Sequence, residues 1–265
     1  MSRLVFGFSA PRQQILGTEL AGDIVSVGAA VRDFAVGDAV IAFLGAKLGA
    51  HAEYCCIKAN ALVVKKPEAL SYRTAAALAF GGTTALDFFR RAKLRRGERV
   101  LINGGSGAVG SAMLQIAVAG GAEVTVVCSG ANRECMLTLG ARRVVNYLTD
   151  DFASEGLRYD VIVDTVGNAP YSRVRKALTP GGRLLLVLAT LPQLLHAPWA
   201  DLTTKHRVYA GPVAERLDDL NTLVEMAVAG QFTPLIDCCL PLNLIAAAHA
   251  RVESGRKRGS VVVEL

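Results

Sequence analysis

RVLINGGSGAVGSAMLQIA, running from Arg99 to Ala117, is the stretch on which the fold turns. It opens as a short β-rich run, Arg99 to Asn103, and closes inside an apolar-periodic stretch, Ala108 to Ala119. Between them lies Asn103-Gly104-Gly105-Ser106-Gly107-Ala108-Val109-Gly110, which satisfies G-x-G-x-x-G at Gly105, Gly107 and Gly110. In a strand–loop–helix unit each glycine has a reason. Gly105 permits the tight turn, Gly107 lets backbone amides approach a pyrophosphate with no Cβ in the way, and Gly110 lets the helix pack on the strand. The helix start adds unpaired N–H groups and the positive end of its dipole.

Outward from this unit the same rhythm repeats. β-rich runs occur at Glu123 to Ser129, Arg143 to Tyr147, Asp160 to Val166, Arg183 to Thr190 and His206 to Gly211. Helical stretches lie at Arg133 to Leu139 and at Tyr171 to Leu178, the second closed by Pro180-Gly181-Gly182 as a helix stop. Alternating strands and helices, with strands that are nearly continuous Val, Ile and Leu, predict an α/β fold: a doubly wound parallel sheet of Rossmann order, covered on both faces. Both ends of the chain read differently. AGDIVSVG, DAVIAFLG, AEYCCIK and ALVVKKP are short β-like runs among turns. A helix from Leu217 to Ala229, the run LIDCCLPL, a short helix around His249 and a last strand SVVVEL complete the chain. The expected architecture is a β-rich domain, residues 1–72 plus 230–265, around an inserted dinucleotide-binding domain, residues 73–229.

Composition narrows the function classes. The 265 residues are 52% hydrophobic and 20% charged, which excludes a disordered or fibrous chain. The six cysteines form neither CxxC nor a metal-like Cys/His cluster, and they read as reduced thiols of a cytoplasmic protein. No run reaches the ~18 apolar residues of a membrane helix. The net charge of +6 gathers at Arg90, Arg91, Lys93, Arg95 and Arg96, and at Arg251, Arg256, Lys257 and Arg258. No aromatics interleave these clusters, so solvated helix ends are favoured over a nucleic-acid surface.

The end of the second strand selects the nucleotide. A site for NAD places a carboxylate there for the ribose 2′-OH, whereas this chain reads Cys128-Ser129-Gly130-Ala131-Asn132-Arg133. A hydroxyl and a guanidinium suit a 2′-phosphate, so NADPH is the expected cofactor. The competing reading of Arg133 is an exposed first-turn residue of the next helix.

LGTELAGDIVSVG, VGDAV, AEY, AALAFGGTTAL, INGGSGAVGSAMLQIA, LGARRVVNY, YDVIVDTVG, LTPGGRLLLV and ESGRKRGSVVVEL, in that order, resemble the medium-chain dehydrogenase/reductase superfamily. Within it the chain looks like the zinc-independent quinone oxidoreductase, or ζ-crystallin-like, branch, from Ile15 to Leu265. The resemblance implies a GroES-like domain beside the Rossmann domain, with the nucleotide between them. It carries the phosphate loop to Gly104, Gly105, Ser106, Gly107, Ala108, Val109 and Gly110, and the 2′-phosphate contacts to Ser129, Arg133 and Tyr147. The nicotinamide-side threonine maps to Thr84. Tyr147 as a packing residue is the alternative. It also implies hydride transfer from NADPH to a quinone or an α,β-unsaturated carbonyl, and a homodimer formed along the edge strand near Val208 to Gly211. Zinc-dependent members carry Gly-His-Glu where this chain has Gly17-Thr18-Glu19, and threonine does not replace imidazole as a zinc ligand, so no metal is expected. Sixteen residues precede Gly17, fewer than in family members, which leaves the first strands of the GroES-like domain short.

No residue announces itself as the proton donor. His51 and Tyr54 in GAHAEYCC have suitable chemistry, while His196, His206 and His249 are scattered without evident partners. Three readings follow: an NADPH-dependent, zinc-free reductase; a nucleotide-binding protein with little or no catalysis, because of the short amino-terminal segment; and, ranked last, a nucleic-acid-binding module.

Overall fold

The computed structural model describes residues 13–190 and 205–265. His196 lies outside them. Three short antiparallel strands come first: β1 (Glu19–Asp23), β2 (Ala39–Phe43) and β3 (Leu62–Lys65), paired in that order with Glu19 opposite Phe43. Two helices follow. Ser71 caps α1 (Tyr72–Ala76) by accepting from the Thr74 N–H at 3.1 Å. α2 (Ala79–Ala92) has neither a side-chain cap of its own nor an acidic residue in its first turn.

The six-stranded parallel sheet comprises β4 (Arg99–Asn103), β5 (Glu123–Cys128), β6 (Arg143–Asn146), β7 (Tyr159–Asp164), β8 (Leu178–Leu186) and β9 (Arg207–Tyr209). The strand order is β6-β5-β4-β7-β8-β9, as expected of a doubly wound dinucleotide fold. Period-two alternation divides its strands between two apolar layers. Val100, Ile102, Val126, Val161 and Val163 face one core with Phe88, Met113 and Leu114, while Leu101, Val127, Val145, Ile162 and Leu184 face the other with Phe152 and Val174. Both faces are dry, which is why the strands read as unbroken aliphatic runs. The connecting helices are α3 (Ala108–Ala119), α4 (Arg133–Thr138) and α5 (Tyr171–Val174). After β9 come α6 (Leu217–Val228), β10 (Ile236–Pro241), α7 (Ile245–Glu253) and β11 (Ser260–Glu264), with β10 and β11 paired in parallel.

Two sequence expectations are corrected. The helix expected from Tyr171 to Leu178 ends at Val174 and a 3-10 turn, and Pro180-Gly181-Gly182 lies inside β8 rather than closing a helix. Leu178 already pairs with Tyr159, and the register then slips so that Val161 meets Arg183. The proline and glycines occupy that irregularity, where a missing N–H and a positive φ at Gly181 are tolerated. The run AEYCCIK forms no strand: residues 52–58 pair with no strand among the described residues, and Cys55 and Cys56 are exposed.

Candidate functional site

The carboxyl ends of β4 and β7 adjoin at the point where the strand order reverses, and the glycine loop leaves β4 there. Gly107 and Gly110 stand as the sequence assigns them, while the tight turn falls on Gly104 instead of Gly105. Gly104 takes the left-handed φ of +85°, and a Cβ on it would lie 2.4 Å from Thr165 Oγ1. A Cβ on Gly105 would lie 2.2 Å from Val126 Cγ1, and one on Gly110 would lie 2.3 Å from the Gly104 carbonyl. Those two positions are packing constraints. Gly107 is different, because its Cβ would meet nothing nearer than 3.6 Å. Gly107 is also the N-cap of α3, without a side-chain cap or a first-turn acid, so the first-turn amides have no carbonyl one turn back and meet no competing carboxylate. This arrangement fits a dinucleotide pyrophosphate: close packing behind the loop, open space and free donors in front.

A buried polar cluster holds the loop from the β7 side. Asp164, fully buried, accepts the N–H groups of Val166 and Gly167 at 3.0 Å each and of Ala169 at 2.8 Å. Asn103 donates through Nδ2 to Asp164 Oδ1 at 2.9 Å and to Asn168 at 2.7 Å, and the Thr165 hydroxyl donates to the Asn103 carbonyl at 2.8 Å. The sequence reading passed over this cluster. Its signal was an acid and an amide at the carboxyl ends of two otherwise aliphatic runs.

Ser129, Arg133 and Tyr147 gather at the carboxyl ends of β5 and β6. Ser129 Oγ accepts from Asn132 Nδ2 at 3.2 Å. Arg133 starts α4, spends one donor on the Val144 carbonyl at 3.1 Å and is exposed. Tyr147 is 59% exposed, which excludes the packing reading. Asn146, not singled out in the sequence, orders this loop by accepting the N–H groups of Gly130 at 3.1 Å and Leu148 at 3.2 Å. Arg258 is a further addition, because it lines a small depression with Ala131, Glu134 and Cys135 just beyond Ser129. Thr84 stands apart from these groups. It is buried in α2, and its hydroxyl donates to the Phe80 carbonyl at 2.7 Å.

His51 and Tyr54 line a cleft of about 1440 Å³ between the β1–β3 sheet and the β10–β11 pair, together with Glu19 and His249. The His249 ring lies 5.6 Å from that of His51, so His249 does have a partner. Burial, reinforced by His249, pushes the His51 pKa down, and His51 Nδ1 is buried without a hydrogen-bond partner among the described residues. His206 also has a partner, the Tyr171 hydroxyl at 3.0 Å. In the basic cluster, Lys93, Arg95 and Arg96 are exposed as expected of solvated helix ends, whereas Arg90 and Arg91 are engaged. Arg90 pairs with Asp219 at 2.6 Å, and Arg91 reaches Asp87 at 3.5 Å and donates to the Ala210 carbonyl at 2.6 Å. No helix of the described residues is long and apolar enough to cross a membrane.

Residues 3–68 match the model of the alcohol dehydrogenase GroES-like domain, and residues 139–263 that of the zinc-binding dehydrogenases. The chain is 31% identical to a chloroplastic quinone-oxidoreductase homolog of Spinacia oleracea, over 94% of this chain and 79% of that one. It is 26% identical to a chloroplastic NADPH-dependent alkenal/one oxidoreductase of Arabidopsis thaliana, over 96% and 64%. The solved quinone oxidoreductase of Coxiella burnetii superposes with a TM-score of 0.90 at 25% identity, covering 100% of this chain and 83% of that one. The zinc in one matched description does not fit the donors present. Thr18 offers a hydroxyl and no imidazole beside Glu19, and among the described residues no three His, Cys, Asp or Glu side chains are grouped to hold a metal ion. The fold, the loop at the switch point and the relatives together place the chain in the medium-chain dehydrogenase/reductase family, as an oxidoreductase of its quinone-oxidoreductase-like branch.

Proposed function

We propose that the protein is an NADPH-dependent, zinc-free reductase of quinones or α,β-unsaturated carbonyls. The observation that carries this reading is the turn after β5, Cys128 to Arg133, which holds no carboxylate and where Ser129, Arg133 and Tyr147 gather instead. When bound, the reduced nicotinamide supplies the hydride. The residues named here do the binding. The first-turn amides of α3 hold the pyrophosphate, Arg133 and Arg258 neutralise the 2′-phosphate, and Ser129 and Tyr147 offer hydroxyl donors to it. Thr84, on the wall formed by α2, borders the nicotinamide side; its hydroxyl already donates internally and keeps its lone pairs to accept an amide N–H.

The acceptor is a small molecule that takes a hydride at an electron-poor carbon or quinone ring, and a proton follows from water or from the His51 and Tyr54 side of the cleft. The division at residues 72/73 and 229/230, a homodimer along β9 and a cytoplasmic location belong to the same reading. Fluorescence titration with NADPH and NADH, followed by NADPH turnover on a panel of quinones and enones, tests it. NADPH-selective binding with turnover supports the reductase. Binding without turnover leaves a nucleotide-binding protein, and preference for NADH overturns the cofactor assignment.

A further inference from the structure

We propose that Glu19 is a positioning residue that caps α2 from the β1–β3 sheet, and that its charge state sets the affinity of the glycine loop for a dinucleotide. The proposal rests on the nucleotide-binding part of the function proposed above. α2 lacks a cap of its own, and Glu19, 61 residues earlier in the chain, supplies one: its Oε2 accepts the Phe80 N–H at 2.7 Å. A second backbone donor, from Ala79, reaches the same carboxylate. The first turn of α2 is in turn pressed onto the start of α3, because a Cβ on Gly81 would lie 2.8 Å from the Ala108 carbonyl. Ala108 is the residue that follows Gly107 at the mouth of the phosphate loop.

A second connection runs from the other side. Lys257, in the turn before β11, is the charged side chain that acts on Glu19, and its Nζ donates to the Gly259 carbonyl at 2.6 Å. Gly259 donates its N–H to the Ser106 carbonyl at 2.8 Å and bridges to Gly107, so this turn lies directly against the glycine loop. Glu19, through the first turn of α2, and Lys257, through Gly259, are therefore each tied to contacts that end on residues 106–108, and Asp237 is the other charge that acts on Lys257. Of the other elements against β1, β2 presents Phe43 opposite Glu19, while Tyr72 and Arg73 of α1 are engaged by Asp23 and Glu264. His51 and His249 line the same cleft.

Burial pushes the Glu19 carboxyl up to about 7, so its proton is exchanged near neutral pH. A dinucleotide on the adjacent loop brings further negative charge and favours the neutral acid, so binding and protonation of Glu19 reinforce each other. Affinity falls as pH rises through this range.

The test is the NADPH dissociation constant, by nucleotide fluorescence, from pH 6 to 8.5 for wild type, Glu19→Gln and Lys257→Met. The glutamine variant keeps an oxygen to accept from Phe80 but cannot ionise. Titration of the nucleotide's own phosphate is common to all three proteins and cancels between them. Expected is a weakening of about fivefold or more across the range in wild type, little or none of it in Glu19→Gln, and a transition moved to higher pH in Lys257→Met, where Glu19 loses its cation. Equal pH slopes in wild type and Glu19→Gln overturn the proposal while leaving nucleotide binding intact. No binding of NADPH or NADH by wild type at any pH overturns the nucleotide assignment itself, and this proposal with it.

Discussion

Asn103 and Asp164 end neighbouring parallel strands, pair in register, and join side chain to side chain, Nδ2 to Oδ1 at 2.9 Å, under the glycine loop. Asp164, itself buried, satisfies three backbone N–H groups of the following turn as well, that of Ala169 buried and those of Val166 and Gly167 partly so. Removing its oxygens orphans those donors together with the Asn103 amide, each at about 1–3 kcal/mol. Asp164→Ala is therefore expected to lose about 3–5 kcal/mol of stability, measured by denaturant unfolding. Asp164→Asn keeps one accepting oxygen and loses less. A loss under 1 kcal/mol for alanine would show that water or a shifted turn replaces the carboxylate.

The glycines of the loop separate folding from binding. Gly107→Ala adds a methyl group into open space, since nothing lies nearer than 3.6 Å, and the expected result is a folded protein with NADPH affinity reduced about tenfold or more. Gly110→Ala forces a methyl group to 2.3 Å from a backbone carbonyl, and the expected result is a markedly lower thermal midpoint before binding is considered. Circular dichroism melts and nucleotide titration on the two variants decide it. Equal loss of stability in both would remove the distinction between packing and ligand-facing glycines.

Local pattern made the six-stranded sheet legible, because covering both faces demands aliphatic runs and the loop chemistry demands glycines at fixed offsets. α3 runs over Ala108–Ala119 as its spacing predicts. What stayed hidden depends on partners distant in sequence. Glu19 caps a helix 61 residues away, Gly259 bonds to Ser106 of the glycine loop from the far end of the chain, Arg258 comes beside Ala131, and His51 meets His249. Pro180-Gly181-Gly182 misled for the opposite reason, since a helix stop and an irregular strand entry use the same residues.

Nucleotide preference is expected to reside in charge at the ends of β5 and β6. Arg133→Ala removes a guanidinium with free donors, and charge-assisted bonds to a phosphate contribute about 1.5–3 kcal/mol. The expected result is roughly a 10- to 100-fold weaker NADPH complex, with NADH affinity unchanged. Arg258→Ala is expected to act in the same direction and less strongly, because Arg258 approaches from outside the loop. Parallel titrations with the two nucleotides give the ratio. A proportional loss for both would place these side chains at the pyrophosphate or in folding instead.

Glu19 and His51 pull stability in opposite directions across the same pH range. The Glu19 pKa is raised from 4.5 to about 7, so the folded state holds its proton more tightly than the unfolded chain, and this contribution is greatest below pH 4.5 and lost as pH rises through 7. Converted at 1.36 kcal/mol per unit, it is at most about 3 kcal/mol. The His51 pKa is lowered from 6.5, so its contribution is complete above that value and is lost as pH falls below it. The two slopes oppose, so wild-type stability should change less with pH than that of a variant lacking either group. Glu19→Gln should leave the histidine uncompensated and lose stability on acidification, whereas His51→Phe should leave the glutamate uncompensated and lose it as pH rises. Urea unfolding at half-unit pH intervals reads both slopes. Identical pH profiles for the two variants would mean that neither group's pKa differs between the folded and unfolded states.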